Sequence, residues 1–318
     1  MDAPLLQTKK LKKHFKTPAG ALHAVDGISF SIARGQTLGV VGESGCGKST
    51  LGRVILRLLP ATSGEVLWKG RDILKLSASE IKAVRREMQI IFQDPYASLN
   101  PRLSVSQIVA EPLVVNRVYK DRAALNARVA ELLEIVGISR RFEGAYPHEM
   151  DGGRRQRVGI ARALALRPEF IVCDEPVSAL DVSIQAQILN LMMDLQEEIG
   201  LTYLFITHDL NVVKHISSQI LVMYLGQAVE LASPAELFAN PLHPYTKALL
   251  SAIPIPDPAH RHIGKEMIKG EVTSPVNPKP GCRFAPRCPR CMEVCRTGDP
   301  TLQEIASGHH VACVIYNA

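Results

Sequence analysis

The stretch GESGCGKST, residues 42–50, sets three glycines ahead of a lysine and two adjacent hydroxyls. It follows an apolar run, TLGVV, and precedes a helical pattern, TLGRVILRLL. That is the strand–loop–helix setting of a phosphate-binding loop. Gly42, Gly45 and Gly47 let the backbone wrap phosphate oxygens, so that N–H groups along Ser44, Cys46 and Thr50 can face an anion. The helix that starts here adds the positive end of its dipole. Lys48 would reach the β- and γ-phosphates, and Ser49 would help to hold Mg²⁺. The chemistry expected is binding of a nucleoside triphosphate with magnesium.

A second apolar strand, IVCDEP at 171–176, ends in two acids. Burying carboxylates there is costly unless they serve a metal or a reaction. Asp174 is the candidate for Mg²⁺ coordination, direct or through water, and Glu175 the candidate base that polarises an attacking water. His208 closes TYLFITH (202–208), at the same expected sheet edge, where it would contact a γ-phosphate. Gln93 ends the apolar run of IIFQDP (90–95), and its amide would bind Mg²⁺ or the attacking water.

These residues need a scaffold that brings several strand ends to one edge. From about residue 20 to 245, short β-rich runs alternate with helical patterns, which predicts an α/β domain with a largely parallel sheet. SIQAQILNLMMDLQEEIG (183–200) sets Ile184, Ile188, Leu191 and Leu195 on one helical face. Residues 104–165 break the alternation: DRAALNARVAELLEIVG (121–137) is helical and no strand follows until Phe170, so a helical subdomain is expected there. Lys9, Lys10, Lys12, Lys13 and Lys16 read as a solvated strand edge. After Leu250 come the proline-dense IPIPDPAH and SPVNPKPG. A boundary near 255 therefore divides a nucleotide-binding domain, 1–255, from an extension, 256–318.

The chain has 318 residues, a formal charge of +6 and a pI near 8.9. That charge suits nucleic acid, anionic lipid or nucleotide phosphates and selects none of them. No apolar stretch approaches the ~18–20 residues that span a bilayer. The N-terminus lacks an apolar secretory core, so a cytoplasmic chain is expected. Of seven cysteines, Cys46 and Cys173 lie apart, while Cys282, Cys288, Cys291, Cys295 and Cys313 cluster. In a reducing compartment such clustering indicates a metal site before disulfides. Thiolates suit an iron–sulfur cluster and tetrahedral Zn²⁺ alike, and Cys288–Cys291 has zinc-pair spacing.

Taken together, these motifs resemble the nucleotide-binding subunits of ABC transporters over nearly the whole chain. GESGCGKST resembles the Walker A loop, IVCDEP the Walker B strand with its glutamate, Gln93 the Q-loop residue and His208 the switch histidine. SALD (178–181) resembles the D-loop, whose Asp181 would couple two sites of a dimer. Phe15 is similar in position to an aromatic that stacks on adenine. NPLHPYTKALLSAIP (240–254) and GCRFAPRCPRCMEVC (281–295) resemble the extension of dipeptide/oligopeptide importers. That resemblance implies a [4Fe–4S] cluster held by Cys282, Cys288, Cys295 and Cys313, with Zn²⁺ as the alternative; Cys291 departs from the pattern. It also implies two transmembrane permease subunits, an extracytoplasmic peptide-binding protein acting indirectly, no nucleic acid, and a place on the cytoplasmic face of the inner membrane. The alternative is a soluble ABC-type ATPase acting on nucleic acid or ribosomes, for which no coiled-coil insertion or tandem ATPase domain is visible.

One stretch departs from the family pattern. The signature loop, normally LSGGQ, reads MDGGR at 150–154. Gly152 and Gly153 remain, but Asp151 replaces a hydroxyl donor with a negative charge. Two unit charges about 4 Å apart interact by roughly 4 kcal/mol at an effective dielectric near 20. Asp151 would alternatively pair with Arg154 or Arg155, or cap the following helix. Repulsion of phosphate predicts two unequal sites in a heterodimer with a paralogous ATPase subunit, since a homodimer would carry the defect twice.

Overall fold

The computed structural model describes residues 3–253 and 273–316. Its chain begins with β1 (Leu6–Thr17), β2 (Gly20–Ile32), β3 (Thr37–Val41), α1 (Lys48–Ile55), β4 (Ser63–Trp68) and β5 (Arg71–Asp72). There follow α2 (Ala78–Glu87), β6 (Met88–Ile91), α3 (Pro95–Ser98), α4 (Val105–Val115), α5 (Arg122–Ile135), α6 (Gly152–Leu164), β7 (Phe170–Asp174), α7 (Val182–Ile199) and β8 (Thr202–Ile206). The remainder comprises α8 (Leu210–Ile216), β9 (Gln219–Tyr224), β10 (Gln227–Ala232), α9 (Pro234–Ala239), α10 (Pro244–Ser251), α11 (Val294–Thr297), β11 (Gln303–Ala306) and β12 (His309–Val311). These elements form two compact units, one built from residues up to Ala33, Thr37–Lys75 and Thr207 onward, the other from Arg34–Gln36 and Leu76–Ile206.

The first unit contains two sheet portions. One is antiparallel, in the order β2-β1-β4-β5; the other runs β11-β12-β10-β9-β3. Within the latter, β3 pairs in parallel with β9, and every residue of β3 is buried, which is why TLGVV is apolar without alternation. The lysine run lies on β1 as a strand, but not on an edge: β1 is hydrogen-bonded to β2 on one side and β4 on the other. A bulge between Thr8 and Leu11, with Lys10 at φ 43, moves the inward positions from Leu6 and Thr8 to Leu11 and Lys13. Lys13 is consequently buried, with its ammonium 4.7 Å from the centre of the Phe15 ring.

The second unit has β8-β7-β6 in parallel order, and all of β7 and β8 is buried. Its helices begin where local chemistry predicts. Ser104 and Gln107 form a capping box on α4, and the Asp121 side chain accepts the Ala124 N–H of α5. No strand occurs between β6 and β7, as expected for residues 104–165; the compact unit that holds these helices also holds β6–β8. On α7 the buried stripe is Ile188, Met192 and Leu195, with Ile184 and Leu191 half-buried at its margins.

The boundary near 255 lies outside the described residues. Beyond it, the proline-rich tail is more regular than its sequence suggests. Strands β11 and β12 form a hairpin, and β12 pairs with β10. Buried His309 meets buried Glu230 at 2.8 Å, and Glu230 also accepts the N–H groups of Leu242 (2.8 Å) and His243 (2.9 Å). A carboxylate with three partners anchors the tail to the sheet. Among the described residues, no helix is long and apolar enough to cross a membrane.

Candidate functional site

In the first unit, β3 delivers the chain into the glycine-rich loop and α1 carries it away. The loop conformation requires glycine at two places. Gly42 has φ 151 with a Cβ position 2.1 Å from the Met223 carbonyl, and Gly47 has φ 104 with a Cβ position 1.9 Å from the Ala24 carbonyl. Gly47 is also the N-cap of α1 and offers no side-chain cap, which leaves the helix start available to an anion. Lys48 is 5 % exposed, and its ammonium donates to the carbonyls of Gly42 (2.7 Å) and Glu43 (3.1 Å). Ser44 and Gly45 are exposed at the loop tip, Ser49 and Thr50 are half-buried on α1, and Cys46 is buried, with its thiol pushed up by desolvation.

His208 belongs to the same unit. The N–H of Thr207 donates to the carbonyl of Val40 at 3.1 Å, which sets exposed His208 beside the end of β3. Half-buried Phe15 lies on β1 in this unit. Two supports were not legible from motif spacing: the Glu43 N–H donates to the Tyr245 hydroxyl at 2.8 Å, and the Glu43 carboxylate pairs with Arg287.

The second unit gathers the other chemistry. Parallel register sets Ile91 opposite Cys173, so two residues later Gln93 stands level with Glu175. The Gln93 amide donates to the Glu175 carboxylate at 3.0 Å. Glu175 has φ 48, an uncommon backbone for a non-glycine residue and one that clusters at functional sites. Its N–H is held by the Ile206 carbonyl (2.9 Å) and its C=O by the Ser178 hydroxyl (3.1 Å). Asp174, 1 % exposed, ends β7 immediately before it, a position that suits a cation ligand. Exposed Asp181 precedes α7 without capping it by its side chain.

Gly152 and Gly153 form the first turn of α6 rather than a free turn, and Asp151 is the N-cap. Glycine allows close approach there to side chains at the start of α7 and just before it. A Cβ on Gly153 would stand 2.6 Å from Ile184 Cγ2, and one on Gly152 would stand 3.2 Å from Leu180 Cδ2. The Asp151 carboxylate accepts the Arg154 N–H at 2.8 Å and pairs with the Arg154 guanidinium at 2.9 Å. Capping and pairing thus coexist. Arg155 takes neither role; its guanidinium lies 3.7 Å from the centre of the Tyr96 ring. Asp151→Ala should cost about 1 kcal/mol through the lost cap, whereas Asp151→Ser, which can still cap, should be close to neutral in thermal unfolding.

In the tail, Cys282, Cys288, Cys295 and Cys313 line one narrow cavity, together with Phe284 and His243, and Cys291 is not among its walls. Burial pushes Cys282 up to about 11 and raises Cys288 and Cys313. Among the described residues, however, no three cysteines bring their sulfurs within 4.8 Å of one another; the one such group of potential ligands is His14, His23 and Asp26. That group is an ion-pair cluster. Lys12 (3.1 Å) and Arg283 already bind Asp26, and despite burial these cations and the His23 hydrogen bond hold its carboxyl well below the usual range.

The comparisons with known proteins bear on this geometry. Residues 25–178 match the ABC transporter family, and residues 229–295 match the oligopeptide/dipeptide transporter C-terminal region. The oligopeptide transport ATP-binding protein AppF of Bacillus subtilis is 51% identical over 98% of this chain and 98% of its own. A dimeric structure of the ATP-binding cassette MJ0796 bound to ADP and Pi superposes with a TM-score of 0.66 at 30% identity, covering 72% of this chain and 98% of that one. CbiO1 from Clostridium perfringens, part of the ABC transporter complex cbiONQ, gives 0.67 at 29% identity, covering 75% and 92%.

Proposed function

We propose a mechanism on one premise: the chain belongs to the ABC transporter family and is the ATP-binding subunit of a peptide importer. Its ATPase activity is coupled to transport. The observation that carries the mechanism is the Gln93–Glu175 contact on the strained strand end that follows buried Asp174. Lys48 and the amides of Gly42 and of residues 44–50 hold the triphosphate, that of Glu43 being taken by the Tyr245 hydroxyl. Ser49, Asp174 and Gln93 would hold Mg²⁺, which would neutralise phosphate charge when bound. Glu175 polarises the attacking water, and Gln93 aims that carboxylate. His208 contacts the γ-phosphate, and Phe15 stacks on the adenine. The premise is tested by ATP-dependent peptide uptake into proteoliposomes carrying the whole complex; loss of uptake when this chain is omitted is the expected result, and undiminished uptake would sink it.

The membrane partners implied by this membership are permease subunits, with this chain placed peripherally on the cytoplasmic face of the inner membrane and an extracytoplasmic peptide-binding protein acting only through the permeases. We read residues 1–255 as the nucleotide-binding domain and 256–318 as the importer-type extension. The second ATPase subunit is read as a paralogue, with Asp151 and Asp181 facing its nucleotide. What supports unequal sites is the carboxylate at position 151; what tempers them is the Arg154 guanidinium, which screens it at 2.9 Å. Asp151→Ser should raise nucleotide occupancy or turnover at the paralogue's site, and an unchanged rate and affinity there would remove the basis for repulsion.

For the extension, the reading is a [4Fe–4S] cluster on Cys282, Cys288, Cys295 and Cys313. Support comes from their shared cavity and from the exclusion of Cys291 from its walls. No three of these sulfurs lie within 4.8 Å of one another, so neither a zinc nor a cluster site is preformed, and Zn²⁺ stays the alternative occupant. A cluster is larger and holds its thiolates further apart; bound there, it would cross-link the tail. Chain purified without oxygen should carry iron and labile sulfide in equal amounts, lost in Cys313→Ser and kept in Cys291→Ser. Zinc without iron in that preparation would overturn the assignment.

A further inference from the structure

We propose that Arg287 is a positioning residue for ATP, acting through Glu43, so that the cysteine-bearing extension sets the nucleotide affinity of the phosphate loop. This rests on the ATPase reading and adds a residue to it.

The loop's second residue is an acid, Glu43, whose charge is unfavourable beside a bound triphosphate. Arg287 offsets it. Its guanidinium takes Glu43 as a fork, Nη1 to Oε2 at 2.9 Å and Nη2 to Oε1 at 3.2 Å, and Nη1 also reaches the Tyr224 hydroxyl at 3.3 Å. The pair is partly desolvated: the Arg287 side chain is 8 % exposed and that of Glu43 26 %. Bidentate geometry fixes direction as well as charge.

Glu43 is held at its backbone too. Its N–H donates to the Tyr245 hydroxyl at 2.8 Å, and its carbonyl accepts from Lys48 at 3.1 Å. Tyr245 packs against Tyr224 (4.7 Å) and against Phe284 (5.4 Å). Phe284 and Arg287 both belong to the short segment between Cys282 and Cys288. One strap of the extension therefore grips Glu43 by its charge and, through the aromatic cluster, supports the hydroxyl that holds its amide. Any displacement of that strap reaches Lys48 through a single residue.

Removing Arg287 would leave the half-buried Glu43 carboxylate unneutralised and next to the phosphates. Removing both charges would not. The test is equilibrium binding of a fluorescent ATP analogue to the full chain, with ATPase KM and kcat of the assembled transporter measured alongside thermal unfolding. Arg287→Ala should weaken nucleotide binding about 10-fold and raise KM while kcat stays within about twofold, because truncating one partner of a partly desolvated pair leaves the other charge exposed to the ligand. Glu43→Gln should change affinity less than about threefold, and adding it to Arg287→Ala should restore affinity to the Glu43→Gln level. Arg287→Lys, a point charge without the fork, should recover part of the loss. Unaltered affinity in Arg287→Ala would overturn the proposal, as would a double variant no better than Arg287→Ala. If Arg287→Ala proves too unstable to isolate, the Glu43→Gln and Arg287→Lys affinities decide. An Arg287→Lys chain that binds like wild type overturns it. Binding changes of the expected kind in a complex that hydrolyses no ATP would instead tell against the ATPase reading alone.

Discussion

Glu175→Gln will remove ATP hydrolysis by the assembled transporter almost completely, by 100-fold or more, while ATP still binds. A positioned general base contributes about 10²–10⁴-fold, and this substitution removes the base with little change of shape. A glutamine at 175 can still accept from the Gln93 amide, now 3.0 Å away, and faces the same backbone demand at φ 48. Stability is expected to change by less than about 0.5 kcal/mol, the range of substitutions that create no cavity or unpaired charge. Steady-state hydrolysis and equilibrium ATP binding separate the two effects. The size of the loss also reports on asymmetry. Near-complete loss means that the site served by Glu175 does the hydrolysis. Retention of about half means that the paralogue's site turns over as well, and Asp151 is then only a helix cap paired with Arg154.

Lys48→Ala should abolish nucleotide binding at working concentrations, with affinity falling at least 100-fold, about 2.7 kcal/mol. The lysine has two roles in this loop. Its ammonium braces the carbonyls of Gly42 and Glu43 at 2.7 and 3.1 Å, and in the proposed mechanism it meets the β- and γ-phosphates. Alanine loses both, and it takes the ammonium donor from the Gly42 carbonyl while that of Glu43 keeps the Cys46 N–H at 3.2 Å. Lys48→Arg should rescue little, because a planar fork does not reproduce a compact ammonium in a pocket where the side chain is 5 % exposed. Titration calorimetry with ATP provides the check, with thermal unfolding to show that the chain remains folded. An affinity within about threefold of wild type would mean that backbone amides alone hold the phosphates.

Much of this protein was legible without coordinates, because phosphate chemistry ties residue types to short spacing. Glycines at 42 and 47, a lysine next to the second, and acids closing an apolar strand allow few other readings. The structure returns steric reasons for the same residues, in the carbonyls of Met223 and Ala24 that leave no room for a Cβ. The lysine run misled in one respect: its strand is bonded on both sides, and a bulge at Lys10 turns Lys13 inward, which no residue pattern announces. The tail held more than its prolines and cysteines announced. His309 and Glu230, 79 positions apart, pair in the interior and add β12 to the sheet.

What the sequence by itself determined is local: the glycine-rich loop between strand and helix, the carboxylates at the end of β7, and the run of helices before Phe170. At Asp151 it led with repulsion of phosphate and named cap and ion pair as the alternatives, and both of these occur. Tertiary structure decided what depends on distant residues meeting. It set Gln93 level with Glu175 by strand register and pressed Gly153 against Ile184. It also carried Arg287 across 244 positions to the charge on Glu43. Spacing along the chain encodes turns and faces, whereas a pair that far apart leaves no periodic trace and becomes visible only once burial makes its charges need each other.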